Sequence, residues 1–200
     1  MSVNSYEELL LLQQPAIPWI ISDGILVKDT ALVIYGSPKT FKSLLVKQLS
    51  FSLACSDNLT TRWLGFKVKQ QRVLYVQSEI PRIPFNMRVL QMGKNFQVPS
   101  NYLFFCTTYS TKLDRADGRK YVLDLIAKYQ PDVVVFDPFF KFVSTSTEDS
   151  VAAVLDFFDE LKHKHQRSVI LVTRSRKPKT TMTGGIIDQG GTEIRGPLIE

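Results

Sequence analysis

The run Gly36-Ser37-Pro38-Lys39-Thr40-Phe41-Lys42-Ser43 has the residue types a triphosphate needs. It keeps the first glycine, the lysine and the hydroxyl residue of the template G-x-x-x-x-G-K-[ST], and puts Phe41 where that template has its second glycine. In such a loop, backbone N–H groups wrap the phosphates and the helix that follows turns its N-terminus toward their charge. Lys42 would give the outer phosphates a point charge, and Ser43 would offer a hydroxyl to Mg²⁺. The nucleotide-binding stretch is read as Gly36 to Ser43, continued by Leu44 at the start of the helix. Phe41 leaves these groups in place if its side chain points away from the nucleotide, but it restricts the backbone.

Two carboxylates stand where the loop would need partners. In Val133-Val134-Val135-Phe136-Asp137-Pro138, four apolar residues run into Asp137, which would emerge at the carboxyl edge of a sheet. This is the Walker B pattern, and it makes Asp137 the second Mg²⁺-holding residue beside Ser43; an Asp-Pro turn is the plainer reading. In Val73-Leu74-Tyr75-Val76-Gln77-Ser78-Glu79, a carboxylate again follows a buried-looking run. Hydrolysis needs a group that orients or activates water, and Glu79 is the candidate base. The same carboxylate could cap the next helix, and the two roles are not exclusive.

The elements that must hold these residues alternate. A short leading helix is expected at Tyr6–Gln13, stopped by Pro15. Ala31–Tyr35 reads as a buried strand running into the loop, with Ile25–Val27 before it. Lys42–Cys55 reads as a mostly buried helix and Arg72–Gln77 as a strand. Ile83–Gly93 is expected to be a helix ended by Gly93, and Tyr102–Cys106 a strand. Asp117–Tyr129 patterns as an amphipathic helix with Tyr121, Val122, Leu125 and Ile126 inward and Asp117 as its cap. Ser150–His163 is a second such helix, capped by Ser150, and Ser168–Thr173 is the last clear strand. Strands alternating with helices predict an α/β domain around a mainly parallel sheet, with ligands beyond the carboxyl ends of its strands.

Composition bounds the rest. With 200 residues, 44% hydrophobic and 22% charged, the chain suits one soluble domain able to bury its own core. No apolar run reaches membrane-spanning length, and the start lacks a basic leader pattern, so a cytoplasmic protein is expected. Cys55 and Cys106 are expected as free thiols. His163 and His165 are read as a solvated helix end rather than a metal site. Net charge is +6, which permits contact with nucleic acid without establishing it.

The order of loop, strand plus Glu79, strand plus Asp137-Pro138, and strand plus Thr173-Arg174-Ser175-Arg176-Lys177 resembles the RepA-like branch of the RecA superfamily, the hexameric replicative helicases. The likeness runs from about Ile17 to Gly196. It implies a three-layer RecA-like P-loop NTPase domain over residues 1–200, with 1–30 as an N-terminal extension and lead-in strand and with closing strands missing beyond the chain. It implies ATP with Mg²⁺ as the ligands, a homo-oligomer that could be a hexameric ring, and single-stranded DNA as partner. It also implies that Arg195 reaches a neighbouring subunit's nucleotide as an arginine finger, with Lys177 beside it. Relatives of this kind carry paired histidines where this chain has Thr173 and Arg174, so the sensor of the outer phosphate is altered. A DNA-stimulated motor of replication or recombination is expected first. A nucleotide-dependent scaffold or regulatory ATPase comes second, and a small-molecule kinase third.

Overall fold

In the computed structural model, residues 4–11, 16–55, 61–174, 179–180 and 186–188 are described. The chain runs α1 (Tyr6–Leu11), β1 (Trp19–Ile21), β2 (Leu26–Val27), β3 (Ala31–Ile34) and α2 (Lys42–Ala54). It continues through β4 (Arg62–Trp63), β5 (Phe66–Lys67), β6 (Val73–Gln77), α3 (Arg82–Gly93), β7 (Leu103–Thr107) and α4 (Ala116–Tyr129). Then come β8 (Val133–Asp137), a 3-10 turn at Phe139–Phe142, α5 (Glu148–His163), β9 (Ser168–Val172), β10 (Lys179–Thr180) and β11 (Ile186–Asp188).

Five strands form one parallel sheet in the order β3-β9-β8-β6-β7. Every residue of β6, β8 and β9 is buried, which explains why these strands read as unbroken apolar runs. Alternation then divides the side chains between two faces. Val73, Tyr75, Val133, Val135, Ile170 and Val172 join a core with Val46, Leu49 and Leu53 of α2 and Phe85 of α3. Leu74, Val76, Val134, Phe136, Val169 and Leu171 join the opposite core with residues of α4 and α5. The result is the three-layer α/β architecture, helices on both sides of a parallel sheet, expected from the sequence. Asp137 continues the parity of Val133 and Val135, so it belongs to the face that α2 covers.

Several local expectations change. α4 begins one residue early, at Ala116, with Arg115 at its cap position, and Asp117 lies inside its first turn instead of capping it. Tyr121 is exposed, with its hydroxyl 3.4 Å from Cys106 Sγ, because the face that α4 turns fully inward is that of Gly118, Val122 and Ile126. α5 is capped by Thr147, whose hydroxyl accepts from the Ser150 N–H; Ser150 is the third residue of the helix rather than its cap. A Cβ on Gly118 would lie 2.0 Å from the Lys112 carbonyl oxygen, so α4 meets the Lys112 turn only through glycine. β2 falls within the Ile25–Val27 stretch of the sequence reading, whereas its partner β1 and the hairpins β4–β5 and β10–β11 escape that reading because their strands are only two or three residues long. Cys55 and Cys106 are both free thiols, and among the described residues no cluster of His, Cys, Asp and Glu could hold a metal on its own. No described helix is long and apolar enough to cross a membrane.

Candidate nucleotide site

The loop between β3 and α2 has an unusual backbone. Lys39 (φ 65°) and Phe41 (φ 59°) both occupy the left-handed region, where a side chain costs about 1–2 kcal/mol. Phe41 therefore adopts the conformation that glycine would provide at this template position. It caps α2 with its backbone alone, its carbonyl accepting from Leu44 N at 2.9 Å and Leu45 N at 3.0 Å. Its ring is largely exposed. Strain of this kind persists where the surrounding structure enforces it, and it gathers at functional sites. Inside the curl, Lys42 Nζ donates to the Gly36 carbonyl at 2.7 Å, the Ser37 carbonyl at 2.6 Å and Thr40 Oγ1 at 3.3 Å.

β8 ends on Asp137, which pairs in register with Gln77 at the end of β6, and the chain after β6 runs on to Glu79. Ser43 Oγ donates to Asp137 Oδ1 at 2.9 Å, joining the first turn of α2 to the end of β8. The other oxygen, Oδ2, accepts from the hydroxyl of Tyr75, which is wholly buried. Burial pushes the Asp137 carboxyl above its ordinary value, while the Tyr75 hydrogen bond, the Lys47 charge and the Ser43 hydroxyl pull it back. Lys47 lies one helical turn beyond Ser43, is 2% exposed, and places Nζ 5.7 Å from the Tyr75 ring centre and 5.6 Å from that of Phe85. Its burial lowers its own basicity.

Glu79 sits on a turn that Gln77 builds. The Gln77 amide oxygen accepts from Glu79 N at 3.1 Å and Ile80 N at 2.9 Å, and its nitrogen donates to the Ile80 carbonyl at 2.7 Å and Thr107 Oγ1 at 2.9 Å. Glu79 is not the cap of α3, which starts after Pro81 without a side-chain cap. Instead, Glu79 Oε1 accepts from Arg174 Nη2 at 2.5 Å. The Arg174 guanidinium also lies 4.4 Å from the centre of the Phe140 ring. Next to it, Thr173 is fully buried, and its hydroxyl has no hydrogen-bond partner among the described residues.

These groups surround one cleft of about 560 Å³ at the carboxyl edge of the sheet. Pro38 to Leu44 line it from the loop side, and Glu79, Asp137, Thr173 and Arg174 line it from the ends of the strands. Gly36 and Ser37 contribute through the carbonyls that hold Lys42. The volume falls in the range of small-ligand sites, and the position is the one expected of a parallel sheet. The donor set also fits Mg²⁺, since a hydroxyl and a carboxylate already in contact are the hard oxygen ligands this ion takes. The unpartnered Thr173 hydroxyl is a further polar group on the cleft wall with hydrogen-bonding capacity left over.

The structure thus brings together Lys42, Ser43, Asp137 and Glu79 from the sequence reading. Lys177 and Arg195 lie outside the described residues. Sequence reasoning missed Lys47, Tyr75, Gln77 and Arg88, although Lys47 and Arg88 line the cleft. A lysine four residues after Ser43, in a helix that reads as mostly buried, was the available signal for Lys47.

No curated protein matches the chain. Residues 5–180 match the family model described as an AAA domain. A phosphate loop ahead of a helix N-terminus, with one carboxylate at the end of β8 and another just past β6, is the site such a family would need. The chain belongs to this AAA-domain family, a family of P-loop ATPases related to the RecA- and RepA-like helicases.

Proposed function

We propose that the chain binds Mg-ATP in the Gly36–Ser43 loop and hydrolyses it as an oligomeric, DNA-stimulated motor of the helicase type, serving replication or recombination. The observation that carries the hydrolytic part is the contact of Ser43 with Asp137 at the mouth of the loop, with Glu79 across the same cleft. Lys42 binds the outer phosphates, and Ser43 with Asp137 holds the metal. Mg²⁺, when bound, neutralises charge on the outer phosphate oxygens. Glu79 orients water and accepts its proton. Tyr75 holds Asp137 in place beneath the site, and the Lys47 charge favours its ionised form.

Self-association and DNA are supported by surface chemistry. α3 exposes Ile83, Met87 and Leu90, spaced along one helix face, while its neighbour Ile80 and its own Arg88 line the cleft. The net charge of +6 favours an anionic polymer as partner. Arg195 and Lys177 are assigned to a neighbouring subunit's nucleotide on the family resemblance alone. The second reading, a nucleotide-dependent scaffold, is favoured by one contact: the ion pair that occupies Glu79.

ATP hydrolysis measured across a range of protein concentrations, with and without single-stranded DNA, separates the two. Specific activity that rises with both concentration and DNA is the expected result. Nucleotide-dependent assembly without hydrolysis or low-salt DNA binding would decide for the scaffold.

A further inference from the structure

We infer that Arg174 is a transferable clamp, holding Glu79 until the terminal phosphate of the nucleotide draws its guanidinium away. The inference rests on the Mg-ATP reading above and adds a device that tells ATP from ADP.

Three contacts place Arg174. The N–H of Thr173 donates to the Ile34 carbonyl at 3.0 Å, fixing the backbone just past β9 and beside the strand that leads into the phosphate loop. The guanidinium lies over Phe140, in the 3-10 turn after Asp137. One of its nitrogens reaches Glu79 at 2.5 Å. One side chain thereby touches the segments following three neighbouring strands, β6, β8 and β9, and it lines the same cleft as Lys42.

The ion pair is poised for exchange. Its side chains are 33% and 43% exposed, so water screens the attraction and the pair is weak on net. A terminal phosphate carries more charge than a carboxylate and offers three acceptor oxygens. The planar fork of Arg174 suits such a group, and the Phe140 ring can hold the guanidinium plane while its donors change partner. ADP lacks that phosphate and leaves the clamp on Glu79.

Once released, Glu79 has a free oxygen facing the cleft. Water oxygen then bonds to the terminal phosphorus, and the bond from phosphorus to the bridging oxygen breaks. The electron pair of that bond leaves with ADP. The proton lost by water passes to Glu79 and then to phosphate or solvent. The altered sensor of the sequence reading becomes, on this account, a coupling between phosphate recognition and release of the base.

The test is competitive binding of ATP and ADP, with Mg²⁺, to the full chain and to Arg174→Ala, Arg174→Lys and Lys42→Ala. Arg174→Ala is expected to lose ATP affinity by on the order of 10-fold while its ADP affinity stays at the wild-type value, which also shows that it is folded. Arg174→Lys should recover part of the ATP preference, because the charge remains. An unchanged ATP-to-ADP ratio in Arg174→Ala, alongside lost binding in Lys42→Ala, overturns the clamp alone. Undiminished binding in Lys42→Ala overturns the phosphate-loop reading, and the clamp with it.

Discussion

Glu79→Gln is expected to slow ATP turnover by on the order of 10²–10⁴-fold while ATP still binds. The amide keeps the shape of the carboxylate and can still accept from Arg174. The turn that carries it is built by Gln77 through the backbone of Glu79 and Ile80, so it does not depend on the Glu79 side chain. What the amide cannot do is take a proton from water. Phosphate release in the steady state, measured beside ATP affinity, reads the two effects separately. Turnover at the wild-type rate would leave Glu79 as nothing more than the partner of Arg174.

Asp137→Asn is the second large effect, and it acts on the metal. Asp137 is buried at the end of β8, with one oxygen on Ser43 and the other on Tyr75. The amide can satisfy both hydroxyls, since each can accept as well as donate. The negative charge that attracts Mg²⁺ is gone, however. The Mg²⁺ concentration for half-maximal ATP binding is expected to rise by on the order of 10–100-fold. Without nucleotide or metal, the variant should be at least as resistant to heat as the wild type, because burial already disfavours the ionised carboxyl. An unchanged Mg²⁺ requirement would remove Asp137 from the metal site.

The parts of this site written as local patterns were legible in advance. Lys42 and Ser43 stand in a loop template, Asp137 directly follows a short apolar run that reads as a buried strand, and Glu79 lies just past another. Parallel sheets make such runs unmistakable and place their ends on one edge. The supporting residues were not legible, because their roles depend on pairing between strands. Tyr75 reaches Asp137 only because β6 lies beside β8 in a register that aligns Gln77 with Asp137. Gln77 read as the last residue of a strand, yet it ties together the turn that presents Glu79. Arg174 stands out in the sequence as a departure from the expected histidines, but its partner, Glu79, lies 95 positions earlier. The cap assignments failed for a local reason. Thr147 and Ser150 are both cap-type residues three apart, and the earlier one takes the cap position. Phe41 shows the opposite: a residue whose type argued against the motif nevertheless adopts the motif's backbone.

The most direct test of the central claim is calorimetric titration of ATP, with and without Mg²⁺, into the wild-type chain and Lys42→Ala. The loop wraps the Lys42 ammonium with the carbonyls of Gly36 and Ser37, so removing it takes away a full positive charge held inside the phosphate cradle. The wild type is expected to bind one ATP per chain in a Mg²⁺-dependent way, and Lys42→Ala to bind it on the order of 10–100-fold more weakly. Equal affinity in the two proteins would contradict the placement of the nucleotide in the Gly36–Ser43 loop.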